Sequence, residues 1–170
     1  IAAQEYPSDR LEVLMFAGES TDDSVAIART FTDGRPGWEV RTNPRRIQAP
    51  AWNAGIHAAS GEVVGIVSGH AVLGPAYVRS AVDTLLRTGA DMVGGPVRAV
   101  ADGALGTAIA IATSTPYGVG GARHHYLTEP ADVDTVFMGV ARRETWLSYP
   151  FDEEFVRNQE RLMRNATRPE

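Results

Sequence analysis

Apolar positions along the chain fall into short clusters whose spacing changes from one to the next, with polar, glycine- and proline-marked turns between them. Leu11 to Ala17 (LEVLMFA) is nearly continuous, as in a strand buried on both faces. From Ser20 the period lengthens. In STDDSVAIARTF, Ile27 and Phe31 lie one helical turn apart and are predicted to face the core, while Ser20 and Asp23 have the spacing of a capping box. Asp33-Gly34 and Pro36-Gly37 close this unit, and Trp38 to Thr42 is a second strand. Pro50 to Ser60 reads as a helix with Trp52, Ile56 and Ala59 on one face and Gly61 just past its end. Glu62 to Val67 (EVVGIV) is another buried strand. Leu73-Gly74-Pro75 then opens a helix whose stripe is Val78, Val82, Leu85 and Leu86 and which Gly89 ends. Ala90 to Val97 is a fourth strand.

The alternation of strand and helix predicts an α/β domain with a largely parallel sheet. Beyond Arg98 the pattern loosens. Ala104 to Thr113 is helical in composition, Pro116 to Glu129 is a glycine-rich polar loop, and Val133 to Met138 is strand-like. Arg142 to Leu147 and Asn158 to Asn165 read as short helices. With no internal repeat and no low-complexity linker, the 170 residues read as one domain, large enough for a continuous core.

Composition narrows the functional classes. A net charge of -5 argues against a nucleic-acid-binding surface, and the absence of cysteine rules out disulfides and thiolate metal sites. The 16 positions counted as Lys or Arg are all arginine, a residue suited to phosphate but better explained by the codon bias of a GC-rich genome. No apolar run approaches the length of a membrane span. The first residues, IAAQEYPSDR, do not form a signal peptide and read as the tail of a helix already under way.

Four colinear stretches carry a resemblance. They are EVLMFAGESTDDS; NPRRIQAPAWNAGIHAASGEVVGIVSGHAVLGPAYV; GGPVRAV with ATSTPYGVGGARHHY; and VDTVFMGVARRETW with FDEEFVRNQE. Together they resemble family 2 glycosyltransferases, and the SGHAVL and FVRNQE runs resemble the succinoglycan-biosynthesis branch. The resemblance implies a GT-A fold and inverting transfer of a sugar from a nucleotide-diphosphate donor, a UDP-sugar, to a glycan or lipid-linked acceptor. Such a role would lie in exopolysaccharide or cell-envelope synthesis, in the cytoplasm or at the inner face of the plasma membrane. The reaction needs the leaving diphosphate neutralised, in this family by Mg or Mn held on carboxylates. It also needs a carboxylate to take the acceptor's proton. In an open α/β sheet both belong at the carboxyl ends of the strands.

Matching the motifs residue by residue implies a set of site residues. Ser68 stands where the family commonly has a metal-binding aspartate, and His70 beside it either binds metal or phosphate or is a solvated turn histidine. Ala17 replaces an aspartate that holds the nucleoside. Asp22 could cap the following helix or contact the nucleotide, whereas Asp23 is assigned to the cap. Asn53 matches a helix asparagine that serves the ligand or ties the helix to a loop. Arg142 and Arg143 are candidates for the diphosphate, and His124 and His125, beside Arg123, for the acceptor side. GVGGA lacks the preceding strand of a dinucleotide fingerprint and is set aside. Glu160 falls at the catalytic base. The replacements at Ala17, Ser68 and Glu160 keep open a non-catalytic relative that binds nucleotide or glycan, or assists assembly.

Two expectations follow. The family's first strand normally lies beside the strand read here at Leu11 to Ala17, so about 30 or more residues are expected before Ile1, and further chain after Glu170. The second concerns Glu160→Gln, which removes the proton acceptor alone. It should lower sugar transfer by about a hundredfold or more while calorimetry shows nucleotide affinity nearly intact; retained turnover would shift the base to Asp152 or Glu154.

Overall fold

A computed structural model of the chain describes residues 1–133 and 135–154. The apolar run after Glu12 forms β1 (Val13–Ala17), which α1 (Ser24–Thr32) connects to β2 (Trp38–Thr42). The two strands are parallel, in register from Val13 opposite Trp38 to Ala17 opposite Thr42. Among the described residues β1 is hydrogen-bonded along its β2 edge alone.

The next units are α2 (Gln48–Ala58), β3 (Val63–Gly65), α3 (Tyr77–Thr88) and β4 (Met92–Val93). They are followed by α4 (Gly103–Ala112), the short α5 (Pro116–Val119), β5 (Val140–Arg142) and α6 (Arg143–Ser148). The second sheet has the order β3-β5-β4, with β5 antiparallel to both neighbours, so β3 and β4 run in the same direction. The backbone amide of Ser60, just before β3, donates to the Glu12 carboxylate just before β1 at 2.8 Å. This contact brings the starts of β1 and β3 together, so their carboxyl ends share one edge of the domain.

Side chains alternate across β5 and build a core on each face. Val140 packs with Val93 and with Ala81 and Leu85 of α3. Ala141 packs on the other side with Ala49 and Ile56 of α2, Trp146 of α6 and Phe151. Aromatic rings tighten this second core: Phe151 lies 4.8 Å from Trp52 and 5.6 Å from Trp146, centroid to centroid. Glycine permits a close approach of α2 to β1, since a Cβ at Gly55 would sit 3.2 Å from the Phe16 ring.

The structure corrects several readings of the pattern. Ile27 and Phe31 are exposed, and Thr32 is the buried residue of α1, flanked on the same stripe by half-buried Val25 and Ala28. Leu86 is exposed as well; the buried face of α3 is Ala81 and Leu85, one turn apart, with Tyr77 beside them. Gly89 does end α3, in the left-handed conformation at φ 68°. Helix α2 ends at Ala59 in extended geometry, so Gly61 is not its cap. No strand forms at the described residues between Val133 and Met138. The chain instead turns through Met138 at φ 50° and enters β5 at Val140.

Trp146 is 2% exposed and its indole N–H donates to the Val64 carbonyl at 2.9 Å, pinning α6 to β3. Trp146→Phe keeps most of the apolar contact but leaves that carbonyl without its donor. It should lower unfolding stability by about 1–3 kcal/mol, read as a drop in the urea midpoint with an unchanged slope.

Candidate functional site

The edge formed by the carboxyl ends of β1, β2, β3 and β4 gathers Ala17 to Glu19, Asn43 to Arg46, Ser68 to His70 and Gly94-Gly95. Asn43 organises its first half. Its backbone N–H donates to the Ala17 carbonyl at 2.7 Å and its side-chain amide to the Ile47 carbonyl at 2.8 Å. This buried residue therefore couples the end of β1 to the start of α2. Across it, Arg46 forms an ion pair with Glu19, with Nε 3.0 Å from Oε2 and a terminal guanidinium nitrogen on the same oxygen. Both residues have positive φ, 25° for Glu19 and 57° for Arg46. Left-handed backbone costs a non-glycine residue on the order of 1–2 kcal/mol, and an exposed ion pair returns about 0–1 kcal/mol. The pair alone does not offset the strain of this turn.

Ser68 and His70 leave β3 together, the hydroxyl 3.0 Å from the His70 Nδ1, with His70 exposed. One hydroxyl and one imidazole make a poor donor set for Mg or Mn, which prefer carboxylate and other oxygen ligands. No group of three or more His, Asp or Glu able to hold a metal occurs among the described residues. The expected metal site at His70 thus lacks, in the described residues, the carboxylates it would need.

Of the two roles open to Asp22 the structure shows the cap, and Asp23, assigned to the cap, does not make it. The Asp22 carboxylate accepts from the Ser24 backbone N–H at 3.0 Å, whereas Asp23, at the N-cap position, makes no side-chain cap. Hydrogen bonds from the Ser24 side chain and then its backbone hold the Asp22 carboxyl below its ordinary range. Asp22 is a helix cap at the rim of the edge.

Asn53 ties α2 to the segment after α6. Its amide nitrogen donates to the Phe151 carbonyl at 2.9 Å and to Glu153 at 3.0 Å, while its oxygen accepts from the Phe151 N–H at 2.9 Å. Glu153 is also gripped by Arg45, which reaches both its carboxylate and its backbone carbonyl.

Arg142 and Arg143 require a correction. Because β5 is antiparallel to β3, Arg142 pairs with Val63 at the opposite end of β3 from Ser68 and His70. Arg143 donates from Nε to the Ile56 carbonyl at 3.0 Å and from a terminal nitrogen to His57 at 2.9 Å, capping the last turn of α2. These two arginines belong to the far edge of the sheet and do not join the strand-end site. His124 and His125 are closer to it: Val97 donates to the His124 carbonyl at 2.8 Å, and Arg98 donates to the carbonyls of His125 and Leu127. Arg123 reaches the Asp132 carbonyl at 2.9 Å, and the His124 ring stacks on Phe137. Glu160 lies outside the described residues, as does the helix expected from Asn158.

Sequence reasoning passed over Glu19, Arg45, Arg46 and Glu153. The signal was present in NPRR, consecutive arginines leaving a strand, but their carboxylate partners lie 27 and 108 residues away in the chain.

Comparison with known proteins bears on this arrangement. The family model described as "Glycosyl transferase family 2" matches residues 1–145. The dolichyl N-acetyl-alpha-D-glucosaminyl phosphate 3-beta-D-2,3-diacetamido-2,3-dideoxy-beta-D-glucuronosyltransferase of Methanococcus voltae is 25% identical over 166 residues, covering 92% of this chain and 51% of that protein. Glycosyltransferase AglE of Haloferax volcanii is 30% identical over 98 residues, 57% of this chain and 32% of its own. The chain thus spans about half the length, or less, of the curated relatives it matches. Among solved structures, S. aureus TarS 1-349 superposes with TM-score 0.71 at 15% identity, over 96% of this chain and 47% of that one. The same protein in complex with UDP gives 0.66 at 16% identity. At that identity the likeness establishes the GT-A α/β fold.

Asn53→Ala removes three hydrogen bonds and leaves the Phe151 N–H and carbonyl without these partners. It should cost about 1–3 kcal/mol of stability, and faster hydrogen exchange at residues 151–154 would show that the loss is the tether.

Proposed function

The chain belongs to glycosyltransferase family 2, and from that premise we propose that it binds a nucleotide-diphosphate sugar, a UDP-sugar, at the carboxyl ends of β1, β2 and β3 and takes part in inverting transfer of the sugar to a glycan or lipid-linked acceptor. The observation that carries this reading is the match to the family over residues 1–145, which contain every strand end of that edge. Support for the donor comes from the structural likeness to a protein solved in complex with UDP. Support for a lipid-linked acceptor comes from the relative named for a dolichyl-phosphate substrate. A place in exopolysaccharide or cell-envelope synthesis, of the succinoglycan type, belongs to the same proposal and rests on the SGHAVL and FVRNQE runs. So does peripheral attachment at a membrane: no described helix is long and apolar enough to cross one, and a lipid-linked acceptor would bring the domain to the surface.

In this mechanism the edge binds and orients. Backbone N–H groups and the His70 imidazole beside Ser68 hydrogen-bond phosphate oxygens, and Glu160 takes the acceptor proton. Mg or Mn, the family's usual counter-charge, would require a carboxylate near Ser68 that the described residues do not place there. The same observation, with Ala17 at the end of β1, favours a second reading in which the chain binds nucleotide or glycan without turnover.

Calorimetric titration of UDP and UDP-sugars, with and without Mn, paired with a transfer assay, separates the two. Nucleotide binding with turnover supports the transferase, binding without turnover the second reading, and no binding of any nucleotide overturns both. Ser68→Asp supplies the missing anionic oxygen and should make UDP binding stronger in Mn than without it, by about tenfold for one added charge-assisted ligand. A folded variant whose affinity ignores Mn would show that Ser68 is not at a metal position.

A further inference from the structure

A nucleoside diphosphate brings negative charge to a chain whose own net charge is -5, and the described residues offer no carboxylate cluster to hold a neutralising metal. Among the described residues, arginine side chains at the edge are the groups able to meet that charge. Most arginines there are committed. Arg45 is tied to the Glu153 carboxylate and carbonyl, and Glu153 is itself held by Asn53. Arg98 donates to backbone carbonyls of Val97, His125 and Leu127, and Arg41 pairs with Glu39 on its own strand.

Arg46 differs in three ways. Its fork closes on one oxygen of Glu19, which makes no other hydrogen bond among the described residues. The pair is more open than Arg45–Glu153, with side chains 66% and 51% exposed against 52% and 39%. Both residues hold left-handed backbone that the ion pair does not stabilise sufficiently, and Gly18 lies directly against them, its absent Cβ 3.3 Å from the Arg46 Cα. The turn presents a guanidinium at the mouth of β1, between Ala17 and the start of α2, on a carboxylate that is easily exchanged.

We propose that the Arg46 guanidinium is a diphosphate-binding group of this edge, and that Glu19 occupies it until the nucleotide's phosphate oxygens displace the carboxylate. The inference rests on the UDP-sugar reading above. A phosphate presents two anionic oxygens to the guanidinium fork where Glu19 now offers one, and with greater charge. Glu19 thereby lowers affinity for any anion weaker than a diphosphate and shields the arginine in the free protein.

The test is calorimetry with UDP and with uridine on the chain and four variants: Arg46→Asn, Glu19→Gln, the double variant, and Arg143→Ala as a control at the far edge. Asparagine suits the left-handed position and removes the charge. Arg46→Asn should weaken UDP about tenfold or more, as expected for losing a charge-assisted phosphate contact, and leave uridine unchanged. Glu19→Gln should tighten UDP severalfold, and the double variant should lose that gain, the signature of coupling. Arg143→Ala, which removes two bonds to carbonyls at the end of α2, should lower the melting temperature and leave UDP affinity as it was. If the unsubstituted chain binds UDP while Arg46→Asn binds it equally well, or loses uridine as much as UDP, the assignment is wrong and the donor reading stands. If the unsubstituted chain binds neither ligand, the donor reading fails and this assignment fails with it. Should Arg46→Asn not fold, Glu19→Gln decides alone: tightened UDP supports the exchange, and unchanged affinity overturns it.

Discussion

The second sheet depends on β5 lying between β3 and β4 and running against both. Val140 is opposite Gly65 on one side and Val93 on the other, and the approach is close enough that a Cβ on Gly65 would stand 3.2 Å from the Val140 side chain. One residue later Ala141 points to the other face and is fully buried. A three-residue strand thus supplies the centre of both hydrophobic clusters, one under α3 and one under α2 and α6. Glycines guard the entry: Gly139 packs on Met92 and Gly94 on Val136, where a side chain on either would collide. Burial of these two faces is the main stabilising term available to the second sheet.

The location of the candidate site follows from that arrangement. With α2 fixed between β1 and the second sheet, its N-terminal turn is brought to the strand ends, and Asn43 bonds it to the end of β1. The antiparallel entry of β5 has the opposite consequence for Arg142 and Arg143. The same strand that completes the sheet carries them to its far edge, where Arg143 satisfies carbonyls at the end of α2 that would otherwise lack partners. Arg143, which looks suited to a ligand in the sequence, closes a helix instead. Asn53 is a comparable case, since a half-buried amide with two donors and an acceptor meets backbone groups wherever the fold brings them within reach.

The strain at Glu19 and Arg46 sits where the structure is otherwise regular. Their neighbours are a strand end, a buried asparagine and a helix start, joined by the Asn43 bonds to the Ala17 and Ile47 carbonyls. Two non-glycine residues of positive φ in facing loops make that corner the least relaxed part of the edge. Together with the hydroxyl–imidazole pair at Ser68 and His70, it gives the mouth an arginine–carboxylate pair beside neutral polar groups.

Much of the architecture was legible in the sequence because strand and helix periods are local properties. The runs at Leu11 to Ala17 and Trp38 to Thr42, the helix ended by Gly89 and the glycine-led helix α4 lie within a few residues of where the pattern puts them. Motif order was likewise enough to reach the family and the GT-A fold. Which face of each helix is buried was not legible for α1. Ile27 and Phe31 satisfy a helical stripe, yet the sheet takes the smaller face of Val25, Ala28 and Thr32, which permits a closer approach. Nor was the start of β5 legible, because Val133 to Met138 is as strand-like as Val140 to Arg142 and only pairing with β3 and β4 selects between them. The sequence by itself determined the kinds of elements, their order and the chemistry available. Tertiary structure decided which charges meet, because an ion pair such as Arg46 with Glu19 depends on distance in space, and no periodicity along the chain records it.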